Sequence, residues 1–387
     1  MLNILSIFGT RPEAIKLAPV VLELHKHPGK FRSRVCVTAQ HRQMLDQVLG
    51  LFGIRPDVDL NLMEAGQSLS DLTARVVAQV SNVLDRERLD AVLIQGDTTT
   101  VMAAALAAFY HKIPVGHVEA GLRSHDRYSP FPEEVNRRIA SVLSTYHFAP
   151  TETARQALLR EGVPDKSIFV TGNTVIDALH MIVRRPCPNL AASLLARASA
   201  NGAGDPCRLI LVTAHRRENF GQRFESICLG LRSLAQRNPD IAILYPVHLN
   251  PNVREPVYRI LGGVERVILT EPVEYDVMVH LMNAAYLVLT DSGGIQEEAP
   301  ALGKPVLVMR TETERPEAVE AGTAKLIGPY AEHIVAETER LLRDQAAYRQ
   351  MAQAVSPYGD GHAAERIVQV LASHASGSLD LLIAIPF

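Results

Sequence analysis

No G-x-G-x-x-G follows the first apolar run of this 387-residue sequence, and it contains no Walker A pattern. The first absence removes support for a bound nicotinamide, the second for a P-loop triphosphate site. The four cysteines (Cys36, Cys187, Cys207, Cys228) form no C-x-x-C pair, and histidines and cysteines show no metal-ligand spacing. Neither a zinc site nor any other metal is expected, and no cofactor is expected. Cys187 and Cys207 flank a loop-like stretch, but reduced thiols suit a cytoplasmic chain better than a disulfide. No apolar run approaches the length that spans a bilayer. The start, Met1-Leu2-Asn3-Ile4-Leu5, lacks a positive segment and a cleavage pattern, so it reads as a strand rather than a signal peptide. A net charge of −3 creates no field that would gather nucleic acid or an anionic membrane. The expectation is a cytoplasmic protein that binds neither, with basic residues acting one phosphate at a time.

What the chain does have is alternation. Short β-branched runs at 2–8, 35–38, 91–95, 115–118, 147–149 and 168–171 are followed by others at 209–213, 241–246, 267–269, 287–290, 306–308 and 324–326. Helical periodicity fills the gaps, as at 71–84, 100–110 and 224–237. Strand–helix alternation of this kind predicts parallel sheets covered by helices on both faces. The length exceeds one ordinary core, so two domains are expected. Pro/Gly-rich breaks around one short helical stretch at 186–206 read as the junction. The predicted organisation is a domain at 1–185, a linker at 186–206, a second domain at 207–370 and a tail at 371–387. The two Rossmann-like doubly wound domains are expected to face a cleft, where the carboxyl ends of their strands would hold ligand. The apolar end, Leu381 to Phe387, has no account beyond docking onto the body.

Asp291-Ser292-Gly293-Gly294-Ile295-Gln296-Glu297-Glu298-Ala299 is the most informative segment. It follows an apolar strand and opens a helix, so the glycines let the backbone approach an anion that the first helical N–H groups face. Glu298 then lies one or two turns in, where a carboxylate can take two sugar hydroxyls. Phosphate with sugar means a nucleotide or a nucleotide-sugar.

Other strand ends carry chemistry-bearing residues. After the first strand, Thr10 is placed to cap a helix with Pro12 in its first turn, and Arg11 and Lys16 are placed to meet phosphate. Gln95-Gly96-Asp97-Thr98 ends another apolar strand; Asp97 reads equally as an N-cap and as a functional acid. Gly116-His117-Val118-Glu119 brings a carboxylate to a strand end where no cap needs it, so Glu119 is the stronger acid–base candidate. Glu133 and Glu134 open a helix after a proline-rich loop, which the helix dipole explains without chemistry. Glu133 is functional only in company with Asp97 and Glu119. His215 follows the first strand of the second half, ahead of a charged loop, and His248 is a weaker parallel.

Taken together, these segments resemble the non-hydrolysing UDP-N-acetylglucosamine 2-epimerases, from the first strand to about Gly361. The resemblance implies a glycosyltransferase-B-like pair of domains and a homodimer; the last helix of the second domain is expected to pack back on the first. It places Arg11 and Lys16 at the UDP-sugar site and makes Asp97, Glu119, Glu133 and His215 the catalytic group. Ser292, Gly293 and Gly294 match the phosphate loop, Glu298 the ribose contact and Arg315 a further ligand contact. Gln40, Gln43, Gln67 and His248 match positions where bacterial relatives bind a second UDP-N-acetylglucosamine as allosteric activator. Val273 and Met278 depart from the Gln and Phe of some relatives. The implied reaction converts UDP-N-acetylglucosamine to UDP-N-acetylmannosamine, a precursor for surface polysaccharide, through elimination of UDP and re-addition to 2-acetamidoglucal.

Alternatives remain open at this point. A hydrolysing epimerase, or an epimerase of a modified UDP-sugar, would share most of these residues. A glycosyltransferase of the same shape would use the 291–299 loop and Glu298 but would not require Asp97, Glu119 and Glu133. A catalytically idle UDP-sugar sensor would dispense with the three carboxylates.

Overall fold

The apolar runs assemble, among the described residues, into two wholly parallel sheets. The computed structural model describes residues 1–38, 42–62, 64, 66–201 and 207–375. The first sheet holds β1 (Leu2–Phe8), β2 (Phe31–Val37), β3 (Val58–Asp59), β4 (Ala91–Gln95), β5 (Val115–Val118), β6 (Tyr146–Ala149) and β7 (Ile168–Val170). The second holds β8 (Arg208–Thr213), β9 (Ile241–Pro246), β10 (Val267–Thr270), β11 (Leu287–Thr290), β12 (Val306–Val308) and β13 (Ala324–Leu326). Their orders are β3-β2-β1-β4-β5-β6-β7 and β10-β9-β8-β11-β12-β13. Both are the doubly wound Rossmann arrangement, in which strand order reverses beside the first strand and ligands bind outside the carboxyl ends at that reversal. The reversals fall between β1 and β4 and between β8 and β11.

Each sheet carries its own core. In the first, Leu5, Ile7, Val92 and Ile94 pack on Ala103, Ala104, Ala107 and Ala108 of the helix Thr99–Tyr110. Alanines let that helix lie close to the sheet, so β4 is buried along its whole length. In the second, Ile210, Val212, Ile243 and Tyr245 pack against Phe224, Ile227, Leu231 and Leu234 of the helix Gln222–Arg237. Burial of each large apolar side chain contributes about 1.5–3 kcal/mol, so these clusters hold the strand ends in register.

By internal contacts the chain forms two units, Met1–Ala178 with the chain from Tyr358 onward, and Leu179–Pro357. These divisions fall elsewhere than at the expected 185 and 370. The helix Asn189–Asn201, within the expected linker, packs in the second unit against the helix Tyr275–Ala284 and against β8 and β9. Its buried Ala191, Leu194 and Ala198 explain why. The helix Ala363–Ala375 lies in the first unit, on the helix Arg11–His25. Asp177 anchors it by accepting the N–H groups of Ala363 at 3.2 Å and Ala364 at 2.9 Å. The apolar run from Leu381 lies outside the described residues. Among the described residues, no helix is long and apolar enough to cross a membrane.

Candidate active site

At the reversal of the first sheet, Glu13 fastens the turn after β1 to the turn after β4. Its Oε2 accepts the N–H groups of Gly9 at 2.9 Å and Thr10 at 2.6 Å, and its Oε1 accepts the Thr98 hydroxyl at 2.6 Å. Thr10 is the N-cap residue of Arg11–His25, as its position predicted, and Glu13 returns to its N–H in the manner of a capping box. Burial pushes the Glu13 carboxyl upward, against the hydrogen bonds it accepts. Arg11 is half-buried in the first helical turn, and Lys16 follows one turn later.

Asp97 does not cap the next helix. Thr98 does, accepting the N–H of Val101 at 3.3 Å. The carboxylate of Asp97 instead takes Arg137 Nη2 at 2.5 Å, while its carbonyl accepts Asn136 Nδ2 at 3.0 Å. Burial raises the Asp97 pKa, Arg137 opposes that shift and the nearby charge of Glu119 adds to it. The even alternatives of the sequence are thereby separated: the capping task belongs to Thr98, which leaves Asp97 as a half-buried acid beside a second carboxylate.

Glu119 follows β5 directly with a φ of 65°, left-handed backbone that a non-glycine residue rarely adopts and that clusters at functional sites. Its Oε1 accepts Lys16 Nζ, and Asn173 Nδ2 at 3.0 Å; its Oε2 accepts Gln95 Nε2. These donors, with cationic Lys16 among them, meet both oxygens of the carboxylate. Two residues earlier, His117 is fully buried and its Nε2 meets the Gly96 carbonyl at 2.7 Å. Burial lowers its pKa to about 3, so the ring stays neutral and pins the turn that carries Asp97.

The two glutamates after the proline-rich loop have different tasks. Glu134 is buried and accepts the N–H groups of Ser124 at 3.0 Å and His125 at 3.3 Å. Glu133 is half-buried at the first position of the helix Glu133–Leu143, which also carries Arg137, the partner of Asp97.

At the reversal of the second sheet, Asp291 is fully buried and organises the loop after β8. It accepts the N–H of His215 at 3.0 Å and of Arg216 at 2.9 Å, and Asn219 Nδ2 at 3.1 Å. The His215 ring stacks on that of His248, with centroids 5.3 Å apart. Burial lowers the His215 pKa, which Asp291 partly offsets. Ser292 is the N-cap position of the helix Gly293–Ala301. A side chain at Gly293 would come within 3.1 Å of Glu314 Oε1 and 3.5 Å of Arg216 Nη2, whereas Gly294 faces open space. Glu298 is buried on the helix. Arg315 is ion-paired with Glu297, and Thr313 donates to Gln296 at 2.6 Å, so the 313–315 segment is sewn to this helix.

The four expected effector positions are not equally described. Gln40 lies outside the described residues, as does the side chain of Gln43 in the helix Arg42–Phe52. Gln67 Oε1 accepts the N–H of Glu64 at 3.3 Å. His248 is beside His215, so those two are brought together. Residues that pattern alone did not single out include Gln95, Asn173, Glu13 and Arg137. Gln95 and Arg137 carried a signal, since each adjoins a motif already marked; Asn173 carried none, because its partner is 54 positions away.

Comparison with known proteins agrees with this architecture. The family described as UDP-N-acetylglucosamine 2-epimerase matches residues 22–372. A UDP-N-acetylglucosamine 2-epimerase of Escherichia coli (strain K12) is 58% identical over 372 residues, 96% of this chain and 98% of that protein. One from Yersinia pestis is 56% identical over 375 residues, 96% of this chain and 99% of that protein. Among solved structures, the Neisseria meningitidis UDP-GlcNAc 2-epimerase bound to UDP-GlcNAc superposes with a TM-score of 0.86 at 50% identity, covering 96% of this chain and 99% of that one.

Proposed function

The chain belongs to the UDP-N-acetylglucosamine 2-epimerase family, and from that premise we propose that it interconverts UDP-N-acetylglucosamine and UDP-N-acetylmannosamine by elimination and re-addition of UDP. The observation that carries the mechanism is the pairing of Asp97 and Glu119 in contrasting surroundings: Asp97 raised by burial, Glu119 met by Lys16, Gln95 and Asn173. Two neighbouring carboxyl groups held apart in this way can serve as acid and base in one cycle.

In the forward direction Glu119 removes the C2 proton and UDP departs from C1 with the electron pair of the C1–O bond, leaving 2-acetamidoglucal. The β-phosphate oxygen then adds back to C1 while a proton from Asp97 reaches C2 from the opposite face. Glu133 assists as the third carboxylate of this group. The helix terminus at Ser292–Gly294 holds the diphosphate through its N–H groups and positive end. Arg11 and Lys16 add positive charge, His215 steadies the departing phosphate, Glu298 binds the ribose hydroxyls, and Arg315 makes a further ligand contact. No acceptor and no redox step enters this scheme.

The test is incubation with UDP-N-acetylglucosamine alone in D2O, followed by NMR. UDP-N-acetylmannosamine bearing deuterium at C2 supports the reading. Release of free N-acetylmannosamine favours a hydrolysing enzyme, and no turnover until an acceptor is added favours a transferase; either overturns it.

The proposal extends to a homodimer and to activation by UDP-N-acetylglucosamine at Gln40, Gln43, Gln67 and His248. Val135, Ile139 and Val142 support self-association: they recur on one face of the helix Glu133–Leu143 and stay exposed, Val142 at 83%. Light scattering that returns a monomer's mass would remove the dimer, and hyperbolic kinetics with no response to added UDP-N-acetylglucosamine would remove the activator.

A further inference from the structure

We propose that Asn173 is a positioning residue that sets the orientation and charge state of Glu119, resting on the reading above that Glu119 exchanges the C2 proton. Asn173 is 2% exposed and follows β7, where no sequence motif marks it. Its amide orientation is fixed from within: Oδ1 accepts the N–H of Val175 at 3.1 Å, which turns Nδ2 toward Glu119 Oε1 at 3.0 Å. Its own backbone N–H donates to the carbonyl of Tyr358 at 2.7 Å. Tyr358 is buried, and the chain re-enters the first unit there. Beside this bond Gly172 and Gly359 pass so closely that a side chain on either would lie 3.2 Å from the other's Cα. Arg366 closes the arrangement, donating to the Thr171 carbonyl at 3.1 Å while paired with Asp360. Asn173 is therefore gripped on both sides and carries one rigid donor to the carboxylate.

The geometry of Glu119 creates the need for such a donor. Its left-handed backbone persists only where surrounding contacts over-determine it. Titratable groups beside it include Lys16 from the helix Arg11–His25, Asp97 beyond β4 and the neutral His117 on β5. Lys16 reaches the carboxylate from a flexible stem, and Gln95 serves the other oxygen. Asn173 is the neutral donor that fixes Oε1 without adding charge, so a proton acceptor of defined orientation remains.

The experiment uses full-length protein with Asn173→Ala, Asn173→Asp and Glu119→Gln, alone and combined, measuring kcat, KM and their pH profiles with UDP-N-acetylglucosamine. Asn173→Ala is expected to lower kcat about tenfold or more, the usual range for a lost hydrogen bond to a charged group, with KM near that of the wild type. Asn173→Asp sets a like charge against Glu119, so the acid limb of kcat moves to higher pH. Combined with Glu119→Gln, Asn173→Ala should add no further loss to the residual rate. Wild-type kcat and acid limb in Asn173→Ala, with only a lowered Tm, would reduce Asn173 to a structural residue and overturn the proposal. So would an Asn173→Ala loss that multiplies in full upon that of Glu119→Gln. If Asn173→Asp does not fold, the kcat-against-KM split of Asn173→Ala and the combined variant decide alone. A fully active Glu119→Gln overturns the role of Glu119 itself; an inactive one beside an unshifted Asn173→Ala overturns only the positioning role.

Discussion

Both carboxylate oxygens of Asp291 lie 3.0 Å from the backbone nitrogen of His215, across the reversal between β8 and β11. The residue that opens the Asp291–Ala299 segment thus holds the loop that carries the histidine. Asp291→Ala leaves the N–H groups of His215 and Arg216 and the amide of Asn219 without this acceptor, at about 1–3 kcal/mol for each group left unsatisfied. A lower Tm and weaker UDP binding are expected together, by thermal melt and calorimetry. A lower Tm with unchanged UDP affinity would show that the His215 loop does not shape the nucleotide site. Asp291 also opposes the burial that depresses His215, so its removal should shift the imidazole titration to still lower pH, observable by NMR.

Glu119→Gln should cost about two decades or more in kcat with the fold intact, the scale of a lost acid–base group. Circular dichroism and a thermal melt check the fold, and the rate of C2 deuterium incorporation checks the chemistry. Near-native turnover would remove Glu119 from the mechanism.

Arg137 provides a test with a sign. Its guanidinium pulls down the Asp97 pKa, which burial has raised. Arg137→Met lifts that restraint, so Asp97 should hold its proton to higher pH. If Asp97 acts as the acid, the basic limb of the kcat profile moves upward. Movement of the acid limb alone would assign Asp97 the opposite role.

The strands were legible from pattern because parallel strands buried on both faces are continuous apolar runs. β1, β4, β5, β9, β11, β12 and β13 begin and end where the apolar pattern placed them. β2 starts at Phe31, earlier than its pattern, because Arg32 and Arg34 break the apolar run while still pairing with Asn3 and Leu5 of β1. β3 is two residues, Val58–Asp59, too short to leave a period. Asp97 could not be separated from a cap until Thr98 was seen to fill that place. The helix Ala363–Ala375 joins the first unit through Asp177, nearly two hundred positions away, a pairing that local pattern cannot carry. Asn173 is hidden for the same reason: its amide matters only because folding brings Glu119 and Tyr358 to it.

Gly121 tests how tightly the Glu119 loop is confined. Its φ is 93°, and an added Cβ would stand 2.3 Å from the carbonyl oxygen of Ala154. Backbone cannot yield as a flexible side chain does, so Gly121→Ala should displace the loop two residues beyond Glu119. Loss of several degrees in Tm and a fall in kcat are both expected, since the strained conformation and the clash act together. Wild-type Tm and rate would mean that this turn adapts freely.

Asp177 gives a pH dependence whose direction follows from its setting. Burial raises its pKa from 3.8 to about 6, against the N–H groups of Ala363 and Ala364 that it accepts. The folded state therefore binds this proton more tightly than the unfolded chain. The resulting contribution to stability is fully present below the unfolded pKa and is lost as pH rises through the folded one. A rise of this size corresponds to roughly 2–3 kcal/mol. Asp177→Asn keeps an acceptor for the helix terminus and removes the charge that burial disfavours. The Tm of the wild type minus that of Asp177→Asn should decline as pH rises from about 4 to 7, most steeply about pH 5, midway between the unfolded and folded values, and level off above the folded one. A difference that is flat across this range would mean that Asp177 keeps an ordinary carboxylate pKa. A difference that grows with pH would mean that its bonds to the helix Ala363–Ala375 outweigh the cost of burying its charge.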